Sequence, residues 1–197
     1  HLDAPPLIVT RTDGATPFRL VPHIGDVGHT LVVGPTGSGK SVLLAMLALQ
    51  FRRYTDSRIY VFEMGRSLRA SILGLGGEYY DLGADGEMAF QPLARIDLPG
   101  YRSWAAEWIE GRFIQEGIAV GPDEKAAIWS ALGSLASAPV AQRTMTGLSA
   151  LVQSNRLRQA LAPYVLGGAH GRLLDADHDQ LGVADVQGFE MEELMAS

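Results

Sequence analysis

Eight residues limit what this chain can fold into more than any others: Gly34-Pro35-Thr36-Gly37-Ser38-Gly39-Lys40-Ser41. Two glycines five apart, followed by lysine and a hydroxyl residue, form the pattern of a phosphate-binding loop. Gly34, Gly37 and Gly39 let successive backbone N–H groups turn inward around phosphate oxygens, in conformations that a β-carbon obstructs. Pro35, Thr36 and Ser38 complete the loop. Lys40 places one positive charge on the β- and γ-phosphates, and Ser41 offers its hydroxyl to Mg²⁺. The helix that starts here, with Val42 in its first turn, aims its positive end at the anion. ATP and Mg are therefore the expected ligands. Gly34 to Val42 form the binding segment, and Lys40 is a candidate catalytic residue.

The flanks agree with that motif. Thr30-Leu31-Val32-Val33 is a short apolar run of the kind a buried parallel strand needs. Val42-Leu43-Leu44-Ala45-Met46-Leu47-Ala48-Leu49 reads as a helix apolar on nearly every side, expected to be covered by sheet and neighbours. Ser57–Phe62 gives a further strand ending in Glu63, then a helix over 67–73 broken by glycines, then a short strand over 78–82. Strand and helix alternating in this way predict a parallel α/β sheet. In front of it, Leu7-Ile8-Val9 and Phe18-Arg19-Leu20-Val21 flank Asp13-Gly14 and predict a β-hairpin within residues 1–28. His23 and His29, on the approach to the loop, read as capping or packing residues.

Near Leu98-Pro99-Gly100 the pattern changes. Trp104, Trp108, Ile109 and Phe113 recur at helical spacing, and Pro122-Asp123 opens a second helix carrying Ile128, Trp129, Leu132 and Leu135. Two shorter helices fit 148–153 and 156–161. An all-helical block over 99–163 is predicted, suited to contacting a neighbour, with its tryptophans in the core of the bundle rather than forming a platform. The chain is expected to return to the main domain over 164–197, with a strand at Val186–Phe189. Asp175-Ala176-Asp177-His178-Asp179 lacks the glycine and glutamate of a calcium loop and reads as a solvated acidic turn.

Composition excludes several classes. The 197 residues are 47% hydrophobic and contain no cysteine, and no apolar run reaches the length of a membrane span. With 22 acidic against 16 basic residues the net charge is −6, so the surface does not attract DNA broadly. Motor ATPases usually carry an Asp-Glu pair after four apolar residues, and that arrangement is absent. Glu63, ending the strand after the loop helix, sits at the sheet edge where ligands bind. It is a candidate for polarising water, the alternative being a carboxylate paired with Arg66 or Arg69.

Gly25-Asp26-Val27-Gly28-His29-Thr30 leading into Gly34–Ser41 resembles the conjugative-transfer ATPases of type IV secretion systems, the TrbE/CagE family. Further matching pieces follow in order. They are Thr16–Leu20, Phe62 with Gly65-Arg66-Ser67, Ala89–Leu93, Trp104-Ala105 with Glu107–Glu110, Leu173-Leu174-Asp175 and Phe189–Met195. The resemblance implies a RecA-like P-loop NTPase core with an inserted all-α subdomain, divided here into 1–28, 29–98, 99–163 and 164–197. It also implies a homo-oligomer, a hexamer, at the inner face of the bacterial inner membrane. There it would partner membrane components of the secretion system and energise pilus assembly and DNA or protein transfer. The chain starts at His1 and stops in what reads as a helix opening, so it is expected to be a piece of a longer protein. Family members carry their Asp-Glu strand soon after the segment matching Phe189–Met195, so this piece is expected to bind ATP but hydrolyse it weakly. A DNA-translocating motor of the coupling-protein or FtsK/HerA kind, and a nucleotide-responsive scaffold without turnover, are the competing readings.

Overall fold

A computed structural model of the chain describes residues 5–23, 25, 27–82 and 88–196. The first four residues of the predicted hairpin segment, Asp26 on the approach to the loop and Ser197 lie outside the described residues. Along the chain run β1 (Ile8–Thr10), β2 (Phe18–Leu20), α1 (Lys40–Phe51), β3 (Ile59–Glu63), α2 (Arg69–Gly74), β4 (Glu78–Asp81) and α3 (Pro99–Gln115). They are followed by α4 (Pro122–Leu135), α5 (Met145–Leu151), α6 (Asn155–Leu161), α7 (Gly171–Leu174), β5 (Val186–Glu190) and α8 (Glu192–Ala196). Two compact units result: residues 1–82 with 182–197, and residues 83–181.

The first unit is built on a parallel sheet of order β3-β5-β4. The last strand in sequence is thus the central one: the chain leaves after β4, folds the second unit, and returns to pair on both sides. Val61 of β3 and Tyr79 of β4 both lie opposite Gly188 of β5. Every residue of β5 is buried, as a central strand demands. Gly188 is required there, because a β-carbon would sit 2.4 Å from Cδ1 of Ile72. Its absence lets α2 settle onto the sheet, where Leu68, Ile72 and Val186 form a small core with Ala45, Ile59, Val61, Leu75 and Tyr79 against it. β1 and β2 pair antiparallel as the predicted hairpin. The hairpin approach is tied to the end of α1, where the Tyr54 hydroxyl donates to the Pro5 carbonyl at 2.7 Å and Arg53 donates to that of Pro6.

Two expectations for this unit are corrected. Thr30–Val33, predicted as a buried strand, forms no ladder; Leu31 and Val33 are 87% and 81% exposed. A strand exists only where a neighbour accepts its backbone bonds, and among the described residues none lies alongside. The α1 helix was expected to be covered, yet none of its residues is buried. A three-stranded sheet with one short helix offers it too little apolar surface, and contact is made chiefly through Ala45.

The second unit is helical and closes around its own core. In α3, Pro99 stands at the first turn, where its missing N–H costs nothing. Ala105, Ala106, Ile109 and Phe113 fall on one buried face. The helix stops at Gly117, whose φ is +73°, with Gly117 N–H donating to Ile114 and Ile118 N–H to Phe113. That paired reverse bond satisfies the last carbonyls and folds Ile118 back onto the core. α4 starts with Pro122, and the Glu124 carboxylate accepts from Gly121 N–H at 2.9 Å. Thr144 and Ser154 cap α5 and α6 through their side-chain oxygens. Ile128, Leu132, Leu135, Met145, Leu148, Leu157, Leu161 and Tyr164 complete a core in which each is 2% exposed or less.

The unit is wider than the predicted helical block of 99–163. Leu93 and Ile96 are fully buried in its core. Phe90 N–H donates to the Leu173 carbonyl, and Gln91 N–H donates to the Asp179 carboxylate at 2.7 Å. These bonds tie residues before 99 to residues after 163. The acidic turn is solvated at Asp177, His178 and Asp179, as expected, while Asp175 accepts from Thr146 N–H at 2.8 Å and from Leu166 N–H. No group of acidic or histidine side chains among the described residues could hold a metal ion.

Candidate nucleotide site and the carboxyl end of the sheet

The glycine loop takes the form its sequence requires. Gly37 and Gly39 have φ of +80° and +85°, left-handed values that strain any other residue. A β-carbon at either would meet nothing within 4 Å, so both positions face open space. Gly34 is different: its β-carbon would lie 2.8 Å from Oγ of Ser38. α1 begins at Lys40, and its first bond back is Leu43 N–H to the Gly39 carbonyl at 2.9 Å. First-turn amides of a helix have no acceptor within it, so they are available to an anion. The Lys40 ammonium donates to the carbonyls of Gly34 at 2.9 Å and Pro35 at 2.8 Å, folded over the mouth of its own loop. Gly34 and Lys40 are half-buried; Pro35, Thr36, Ser38, Ser41 and Val42 are exposed, leaving the Ser41 hydroxyl accessible. His29 is exposed and His23 half-buried; the packing role expected for both therefore has no support at His29.

Glu63 lies at the carboxyl end of β3, but not in the pairing with Arg66 or Arg69 given as its alternative. Its two oxygens accept from Leu68 N–H at 3.0 Å, Ser67 Oγ at 2.7 Å and the Tyr79 hydroxyl at 2.7 Å. The carboxylate thus caps the entry to α2. Arg66 turns instead to Asp81 at the end of β4, at 2.7 Å. The Asp81 hydrogen bond and charge raise the guanidinium's pKa further.

Sequence reasoning passed over Glu190. It ends β5, is fully buried, and accepts from Arg66 N–H at 2.6 Å, Gly65 N–H at 3.1 Å and Glu192 N–H at 3.0 Å. Burial alone would raise its pKa, but these three amides and the Tyr79 hydroxyl outweigh it and hold the carboxyl below its ordinary value. Arg66 has φ +56°, unusual for a side chain of its size, and the Glu190 and Asp81 bonds are what fix it there. Tyr79, bridging Glu63 and Glu190, is pushed up by burial and then by its bond to Glu63, so it stays a donor. All three parallel strands therefore end in a carboxylate, and together these pin the turn 64–67. The legible signal was an acid directly after an apolar strand.

A glycine loop opening a helix beside a parallel sheet, with an all-helical unit inserted between β4 and β5, defines a P-loop α/β domain of the RecA-like kind. Relatives narrow this. The chain is 43% identical over 195 residues to a probable conjugal transfer protein TrbE of Sinorhizobium fredii, covering 96% of this chain and 29% of that protein. It is 41% identical to the conjugal transfer protein TrbE of Rhizobium radiobacter, covering 98% and 24%. Identity is 26% with the type IV secretion system protein virB4 of Bartonella quintana, covering 94% and 24%. The solved structure of VirB4 of Thermoanaerobacter pseudethanolicus superposes with a TM-score of 0.62 at 19% identity, over 83% of this chain and 50% of that one, which supports the fold. No family model matches the chain. Along almost its whole length the chain is thus similar to TrbE and VirB4 proteins, and it spans about a quarter of the length of the curated relatives it matches.

Proposed function

We propose that this chain is the nucleotide-binding part of an ATP-driven motor of conjugal transfer, a homo-oligomer acting with membrane components of a type IV secretion system. The observation that carries the reading is the loop itself: two left-handed glycines facing open space and a helix starting at Lys40, within a chain alike to TrbE along almost all its length. The residues fit a triphosphate with its metal. Amides of the loop and of the first turn of α1 would cradle the phosphates, and Ser41 would hold Mg²⁺. When bound, the metal supplies charge neutralisation between the β- and γ-phosphates. Lys40 exchanges its two carbonyl partners for phosphate oxygens, a charge-assisted and therefore stronger contact. Glu63, with both oxygens engaged, serves to position the turn 64–67 at the same sheet edge. For it to polarise water, the Ser67 or Tyr79 bond would have to open first.

Calorimetric titration with Mg²⁺ and a non-hydrolysable ATP analogue tests the assignment. Lys40→Ala should weaken binding by about a hundredfold, the equivalent of about 2.7 kcal/mol. Binding at wild-type strength would refute the loop's role. The motor reading is tested separately, by mating frequency with the same change in the complete protein.

A further inference from the structure

α3 carries two apolar faces, one buried in the core and the other only partly used in folding. Ala105, Ala106, Ile109 and Phe113 fill the core of the helical unit. Tyr101, Trp104 and Trp108 form a separate stripe, at i, i+3 and i+7. The predicted core role is thus corrected for Trp104 and Trp129, which are 48% and 47% exposed, while Trp108 is half-buried and packs against the core; Tyr101 is 43% exposed. Trp108 leans onto the core, and the rings of Tyr101 and Trp104 remain exposed beside it. The two indoles lie nearly parallel, with centroids 6.0 Å apart. Together with Phe90 and Pro92 they wall a groove of ≈ 690 Å³ that lies wholly within the helical unit. That volume falls in the range of about 300–1,000 Å³ usual for ligand sites.

The charge at the groove decides its occupant. Arg95 stands over the Tyr101 ring at 4.4 Å and donates to its hydroxyl at 2.9 Å, yet has no carboxylate partner among the described residues. Asp179, the one acid lining the groove among the described residues, has an oxygen occupied by Gln91 N–H. The exposed Arg95 guanidinium, set over Tyr101 at one edge of the groove, is complementary to an anionic group on an occupant. Trp, Tyr and Arg are also the residues that dominate protein–protein binding energy, and aromatic-walled grooves receive extended, proline-containing peptides.

We propose that this groove is a peptide-docking site for an extended segment of a partner protein. The segment inserts a proline or aliphatic side chain between Phe90, Tyr101 and Trp104, and places an Asp or Glu on Arg95. The inference does not depend on nucleotide binding.

The test pans a phage-displayed library of random dodecapeptides on the full chain and measures the selected peptides by tryptophan fluorescence. A consensus pairing a proline or aliphatic anchor with an acid is expected. Affinity should fall about tenfold or more in Trp104→Ala and in Arg95→Glu. Panning on Arg95→Glu should replace the acid with a basic residue. Both side chains are exposed, and a melting curve for each variant confirms that the helical unit is folded. Should Trp104→Ala not fold, Arg95→Glu decides alone. No enrichment, a consensus without an acid, or binding unchanged in either folded variant overturns the proposal. So does self-association of the chain, or oligothymidine binding, that Trp104→Ala abolishes, since the groove would then belong to a second copy or to nucleic acid.

Discussion

The helical unit and the sheet unit of this chain differ in how far each satisfies itself. In residues 83–181, seventeen buried side chains among the described residues form one core, and α5 and α6 start from caps made by their own neighbours. In the other unit the buried cluster is three residues, and Val42, Leu44, Met46 and Leu49 of α1 lie open with Leu31 and Val33 before it. What holds the sheet unit's functional edge is polar: Glu63, Asp81 and Glu190 gripping backbone amides, Tyr79 and Arg66. Apolar packing stabilises an element wherever enough surface is removed from water, whereas a carboxylate fixes one turn in one geometry.

That contrast can be broken by experiment. Phe113→Ala, emptying the centre of the helical core, should cost about 3–5 kcal/mol and be seen as a large drop in melting temperature. A loss as small as that of a surface residue would mean the core is not closed. Glu190→Gln probes the polar device through pH. The folded carboxyl titrates below its ordinary value of 4.5, so between the two values the unfolded chain binds more protons. Its stabilisation is complete above 4.5 and is lost as pH falls through the lower, folded value. The variant should be less stable at neutral pH and lose less on acidification; an acid limb parallel to wild type would contradict the account. Glu63→Gln removes part of a helix cap and should cost about 0.5–2 kcal/mol. If it slows ATP turnover in the complete protein with no change in melting, Glu63 is a base after all. Smallest of all, Val42→Ser on the 74% exposed flank of α1 should change stability by no more than about 0.5 kcal/mol. A larger loss would show α1 covered in solution.

Much of this was readable in advance, for particular reasons. The glycine loop, the start of α1, the hairpin, β3, β4, β5 and the helices from Pro99 to Leu161 each follow from local pattern: turn residues, caps, periodicity. Thr30–Val33 did not follow, because pairing belongs to two segments and a sequence run shows only one. The face taken by Trp104 did not either, since helical spacing groups it with Tyr101 and Trp108 without saying which stripe the core receives. Glu190 was invisible as a clamp because its partners, Gly65 and Arg66, are remote in sequence and meet it only through β3–β5 pairing.

The sequence by itself determined the chemistry at the loop, since backbone freedom at Gly37 and Gly39 and the charge of Lys40 are properties of those residues wherever the chain goes. Tertiary structure alone decided that the last strand enters the middle of the sheet. It also decided that the carboxylates at the strand ends hold a turn, and that one face of α3 stays open. Those outcomes depend on which distant segments come within bonding distance, and no local run of residues contains that distance.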